Sequence, residues 1–144
     1  MENNEMVTVS TIKNGLLFDG KRTEKALTFY PDSKVAYTAY APVFCFLAEN
    51  GIDCFLVKMP ANLAVFGMDK TEDLMGKYNS YKDFYMAGHS LVGATIASYV
   101  ADNLETFTGL ALLGAYTTKS LILEPKNIFQ IIYYLFFYKT CHFR

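Results

Sequence analysis

The sequence predicts an α/β fold: a mainly parallel, doubly wound sheet with helices on both faces. Three observations lead there. Short apolar runs alternate with longer segments of helical spacing along most of the chain. The apolar runs are continuous rather than interleaved with polar residues, which is how strands read when both faces of a sheet are covered. Finally, Gly88-His89-Ser90-Leu91-Val92-Gly93 lies between a strand-like run, residues 81–87, and a helix-like run, residues 95–102.

Taken in order, Leu16-Leu17-Phe18 before Asp19-Gly20 reads as a strand entering a turn, and residues 26–30 read as a strand stopped by Pro31. Residues 40–49 have helical spacing, with Val43, Phe44 and Leu47 on one side and Asn50-Gly51 as the stop. Residues 54–57 form a short apolar run ended by Met59-Pro60, one helix after the preceding strand, as a parallel crossover requires. Residues 69–78 are expected to be helical, capped by Asp69 or Thr71, with Leu74 and Met75 facing inward. Residues 84–87 give a strand, 91–102 a helix, and 110–113 another strand bounded by Gly109 and Gly114. In the helix, Gly93, Ala97 and Ala101 make a stripe of small residues that lets it approach the sheet closely.

A chain of 144 residues suffices for one domain with a real core, and 52% hydrophobic against 19% charged residues favours packing over disorder. A net charge of −1, spread along the chain, gives no electrostatic reason to expect nucleic acid or an anionic membrane as partner. The three cysteines, Cys45, Cys54 and Cys141, lack C-x-x-C spacing, so neither a disulfide framework nor a metal site is expected, and no cofactor is implied. The first ten residues are polar where an export signal carries an apolar core. Residues 128–138 are apolar except for Gln130, but a bilayer-spanning helix takes about 20 residues. Membrane association is not expected, and the placement read from these features is cytoplasmic.

The chemistry is carried by Ser90. A serine at a sharp strand-to-helix turn adopts a strained backbone, its hydroxyl stands clear of the sheet, and the helix N-terminus stabilises nearby negative charge. Such a serine suits acyl transfer. The turn needs small residues on either side; Gly88 supplies one, and Val92 stands where G-x-S-x-G has the second.

With the turn placed, residues 27–121 resemble the α/β-hydrolase superfamily, specifically bacterial α/β-hydrolase domain family 5. The match is carried by Phe29-Tyr30-Pro31 through Lys34-Val35 to residues 37–42, by residues 56–60 with Asn62-Leu63-Ala64, by residues 87–91, and by Ala115-Tyr116 with Thr118-Lys119. The resemblance implies a serine hydrolase acting on small carboxylic esters or related acyl substrates. Ser90 would attack, and a histidine and an acid, both downstream, would serve as base and orienting group. It also implies an oxyanion hole made by the N–H of Leu91 and an N–H from the loop at Asp32 or Ser33. Longer members would carry an N-terminal membrane anchor.

Against that pattern the chain departs in three places. Val92 replaces a glycine and is expected to crowd the elbow formed by Gly88, His89, Val92 and Gly93, at a cost on the order of 1–3 kcal/mol. Asp32 replaces a glycine in the oxyanion loop and would set a carboxylate near developing negative charge. Of the residues after Ser90, His142 sits in a tail without framework, and Asp102, Glu105 and Glu124 read as helix-end or solvated positions, while His89 is expected to support the loop. The reading divides the chain into residues 1–121, the N-terminal part of an α/β-hydrolase domain, and 122–144, an aberrant apolar tail that truncates it. The strand at 110–113 would then be an exposed edge prone to self-association. Function follows as an impaired serine hydrolase; the alternative is a non-catalytic fragment or interaction module.

Overall fold

A computed structural model describes residues 7–21, 23–32, 34–58, 69–115 and, in backbone, 127–131. Among the described residues seven strands form one sheet: β1 (Val7–Ile12), β2 (Gly15–Gly20), β3 (Lys25–Tyr30), β4 (Ile52–Val57), β5 (Asp83–His89), β6 (Gly109–Leu113) and β7 (Asn127–Ile131). A 3-10 turn (Tyr37–Tyr40) runs into helix α1 (Ala41–Glu49); α2 (Asp69–Lys77) and α3 (Ser90–Asp102) complete the framework. The strand order is β1-β2-β4-β3-β5-β6-β7. β2 pairs antiparallel with both β1 and β4, and every pairing from β4 onward is parallel. The sheet is thus the mainly parallel, helix-covered one expected.

Strand parity builds two separate cores. On β3, β4 and β6, the side chains of Ala26, Tyr30, Phe55, Val57, Leu110 and Leu112 join Ile96, Ala97 and Val100 of α3 on one face. Their neighbours Leu27, Phe29, Cys54 and Leu56 pack with Phe44, Cys45 and Ala48 of α1 on the other. Because side chains alternate along a strand and both faces are covered, the sequence shows unbroken apolar runs.

Several sequence expectations are corrected. Asp19 and Gly20 do not turn but end β2; the reversal lies at Lys13-Asn14, which β1 and β2 flank. Gly20 is there because a Cβ on it would lie 2.0 Å from the carbonyl oxygen of Ala48, where the end of α1 presses on the strand. The inward face of α1 is Ala41, Phe44, Cys45 and Ala48, with Val43 and Leu47 only half-buried, an i, i+3, i+4, i+7 stripe one position off the expected one. Thr71 does not cap α2: its hydroxyl bonds the Tyr30 hydroxyl at 2.6 Å, pinning the helix to the end of β3. β6 is not an edge, because β7 pairs with it in parallel from Gly109↔Asn127 to Leu113↔Ile131. An apolar run without alternation suits a strand of a parallel sheet as well as it suits no structure at all, and length alone did not separate them. Cys54 is a buried free thiol, but Cys45 is disulfide-bonded, with its partner outside the described residues. No helix among the described residues is long and apolar enough to cross a membrane.

At the end of the sheet away from Ser90, Asp53, the second residue of β4, is almost fully buried. One carboxylate oxygen accepts the Gly20 N–H at 2.8 Å and the other the Tyr81 hydroxyl at 2.5 Å. Burial raises its pKa above the ordinary 3.8, against the lowering effect of those two bonds. The folded chain therefore holds this proton more tightly than the unfolded one, so its contribution to stability falls as pH rises from 3.8 to the raised value and is level above it. Asp53→Asn removes the titration while keeping an acceptor for Gly20. The thermal midpoint of the wild type relative to Asp53→Asn is expected to drop across that window; a pH-independent gap would refute the assignment.

Candidate functional site

The chain leaves β3 toward β4 on one side and later returns to form β5 on the other, so β3 and β5 meet at the switch point of the sheet, with Tyr30 opposite Gly88. A crevice at the carboxyl ends of strands diverging in this way is where open α/β sheets bind ligands. Two segments of the predicted site begin here: Pro31 onward after β3, and Ser90 after β5.

Ser90 has φ 58°, and it is the one non-glycine residue with positive φ among those described. Left-handed backbone costs an L-residue about 1–2 kcal/mol, so the surrounding packing must impose it. The packing that does so is visible. A Cβ on Gly88 would lie 2.8 Å from the Cα of Gly93, and one on Gly93 would lie 2.6 Å from the Cβ of Ala115 and 2.8 Å from the oxygen of Gly88. Strand β5 and helix α3 touch backbone to backbone, which leaves the chain one residue in which to reverse. The elbow's second small residue is therefore Gly93, not position 92. Val92 does not crowd the turn as expected: it sits within α3, 8% exposed, with its side chain in the core beside Ile96. The strain falls on Ser90 instead.

Ser90 opens α3, so the N–H groups of the first turn, Leu91 among them, have no acceptor within the helix. Their partial positive charge lies beside the Ser90 hydroxyl. The Leu91 side chain, 78% exposed, lies open to solvent next to it.

His89 precedes the serine and, by strand parity, faces away from α3. Met86 and Gly88 point to α3, while Ala87 and His89 point to the α1 side. There its Nδ1 lies 2.7 Å from the Tyr40 hydroxyl, and the two rings meet edge to face at 5.9 Å. Burial lowers the His89 pKa, with the nearby Asp32 charge pulling the other way. Burial thus favours the neutral ring.

Asp32 sits in the loop after β3. Its carboxylate accepts the Lys34 N–H at 2.8 Å, so the side chain is folded onto its own loop, and its N–H donates to the Tyr40 hydroxyl at 3.2 Å. Ser33 lies outside the described residues, as do Glu124, His142, the 59–64 block and residues 116–119. Asp102 ends α3, followed by Asn103 as its cap, and Glu105 is exposed in the next turn. No group of three or more His, Cys, Asp or Glu side chains capable of holding a metal occurs among the described residues. Sequence reasoning missed Tyr40 and Tyr30. Parity gave the signal, since the histidine of a strand ending in Ala-Gly-His must reach for a partner on the face opposite the glycine.

Solved structures share this framework. The chain aligns with an epoxide hydrolase mutant from Vigna radiata at a TM-score of 0.53 and 9% identity, covering 85% of this chain and 43% of that one. It aligns with Cfl2 of Burkholderia cenocepacia at 0.52 and 20% identity, covering 84% and 47%. A Nostoc sp. PCC 7120 protein described as an α/β hydrolase gives 0.50 and 18%, covering 74% and 41%. Such identities establish the fold, and the chain spans less than half the length of each. No curated protein matches it. The model of the alpha/beta hydrolase family matches residues 26–133, which takes in every parallel strand, the strained Ser90 and the helix behind it; the chain belongs to that family.

Proposed function

We propose that the chain is a serine hydrolase acting on small carboxylic esters or related acyl compounds, with Ser90 as nucleophile. The observation that carries this reading is the φ of 58° at Ser90, at the switch point between β3 and β5. Strain of this kind persists where packing over-determines it, and here it sets a hydroxyl at the first turn of a helix. Ser90 Oγ attacks the carbonyl carbon as its proton passes to a general base beyond the described residues, the negative charge that develops on the carbonyl oxygen meets the Leu91 N–H, and the ester C–O bond then breaks with that proton returned to the leaving alcohol. The loop after β3 supplies the second donor. The Asp32 N–H is already given to Tyr40, which leaves the Ser33 N–H as the better candidate. The Asp32 carboxylate is tied to Lys34 and so does not cap the oxyanion position. His89 is not the base, because its Nδ1 is engaged by Tyr40 on the far side of the strand.

A fluorophosphonate probe tests the reading on the full chain. The expected result is covalent labelling that disappears in Ser90→Ala. Folded wild-type protein that takes up no label would overturn it in favour of a non-catalytic module.

A further inference from the structure

Tyr40 occupies a position that neither the nucleophile nor the oxyanion donor explains. It closes the 3-10 turn ahead of α1, it is buried at 8% exposure, and its ring packs on Phe29 at 4.8 Å. Its hydroxyl reaches two separate loops at once: the Asp32 N–H after β3, at 3.2 Å, and His89 Nδ1 at the end of β5, at 2.7 Å. The Asp32 N–H can only donate, so the tyrosine oxygen accepts there. In the arrangement inferred here the tyrosine hydrogen goes to the imidazole, so that His89 Nδ1 accepts and the ring proton lies on Nε2.

We propose that Tyr40 is a positioning residue that locks the loop after β3, which carries the second oxyanion donor, to the elbow that carries the nucleophile and the first. The role rests on the reading of Ser90 given above. The loop and the elbow lie on neighbouring strands with no connecting turn, since the 3-10 turn, α1, β4 and α2 intervene in sequence. The strand pairing of β3 with β5 ends at Tyr30↔Gly88, so beyond it the sheet no longer sets their spacing. Tyr40 begins where the ladder stops. A two-donor site tolerates little drift, because misplacement by about 1 Å can cost on the order of a hundredfold in rate. One hydroxyl bonded to both sides removes that drift without touching the substrate.

Tyr40→Phe keeps the ring and removes the link. The test compares the wild type, Tyr40→Phe and Tyr99→Phe. Tyr99→Phe is the control, because that hydroxyl bonds Glu72 at the exposed surface. In Tyr40→Phe the fluorophosphonate labelling rate is expected to fall by about tenfold to a hundredfold, with Ser90 still labelled at completion; Tyr99→Phe labels like the wild type. Nitrogen-15 spectra of the imidazoles give a second readout independent of activity. The chain has two histidines, so His89→Gln assigns the signals. The His89 Nδ1 resonance should move downfield in Tyr40→Phe as the nitrogen loses its donor, and stay put in Tyr99→Phe. Labelling of Tyr40→Phe at the wild-type rate overturns the positioning role. If the wild type itself takes no label, the nucleophile reading has failed on its own account and the resonance alone decides the link: a shift upholds it, and an unmoved signal overturns it.

Discussion

Ser90→Gly should give a chain that unfolds later than Ser90→Ala yet, like it, transfers no acyl group. Alanine removes the hydroxyl and keeps the Cβ that makes a φ of 58° costly. Glycine removes both. The left-handed penalty of about 1–2 kcal/mol disappears with the Cβ, while the extra backbone freedom of glycine in the unfolded chain costs about 0.5–1 kcal/mol. The penalty is the larger, so a net gain of roughly 0.5–1 kcal/mol is expected for glycine over alanine. On the catalytic side, both variants lack the Ser90 hydroxyl, so neither is expected to take up a fluorophosphonate label. Urea unfolding of the two variants, followed with fluorophosphonate labelling, checks both halves. Ser90→Gly proving less stable than Ser90→Ala would mean that position 90 is not where the chain is strained, and the argument for a nucleophile would lose its support.

Much of the framework was legible in the sequence because it depends on short-range information. β3 to β6 come from apolar runs of strand length and the helices of the described residues from helical spacing, with Pro31, Gly51, Gly109 and Gly114 as boundaries, and such signals are local. The misreadings share one physical origin. Asp19-Gly20 looks like a turn when taken alone, but Gly20 is small because α1 presses on it from 28 residues later in the sequence, at Ala48. Thr71 looks like a cap, but the Tyr30 hydroxyl claims it across the fold. β7 lacks the alternation that marks a half-exposed strand, and its register is set by β6 rather than by its own residues. At the site, Ser90 was recognisable from its turn, whereas the link from Asp32 through Tyr40 to His89 joins three segments that no spacing rule connects. Contacts between distant segments decide these features, and one sequence does not display them.

The pair Val92→Gly and Gly93→Ala separates what the motif suggests from what the packing requires. By the motif, Val92 intrudes on the elbow, and a glycine there would relieve strain on the order of 1–3 kcal/mol. The structure reverses the sign. Val92 is buried beside Ile96, so truncating it to glycine removes a packed side chain at about 2 kcal/mol and adds about 1 kcal/mol for a glycine inside a helix. A loss of roughly 3 kcal/mol is expected, which is a large part of the stability of a small domain. Gly93→Ala should cost as much for the opposite reason. The new methyl meets the Ala115 Cβ at 2.6 Å and the Gly88 oxygen at 2.8 Å, well inside ordinary contact. One of these neighbours is the backbone of β5, which is paired on both sides and cannot retreat without opening the sheet, so the penalty lies at or above the upper end of the roughly 1–3 kcal/mol usual for overpacking. Helix α3 must lift instead, carrying the Leu91 N–H with it, so the fluorophosphonate labelling rate should fall together with stability. Chemical denaturation measures both variants. A Val92→Gly chain more stable than the wild type would restore the crowded elbow, and a Gly93→Ala chain of unchanged stability would mean that α3 does not rest on β5 through Gly88 and Gly93.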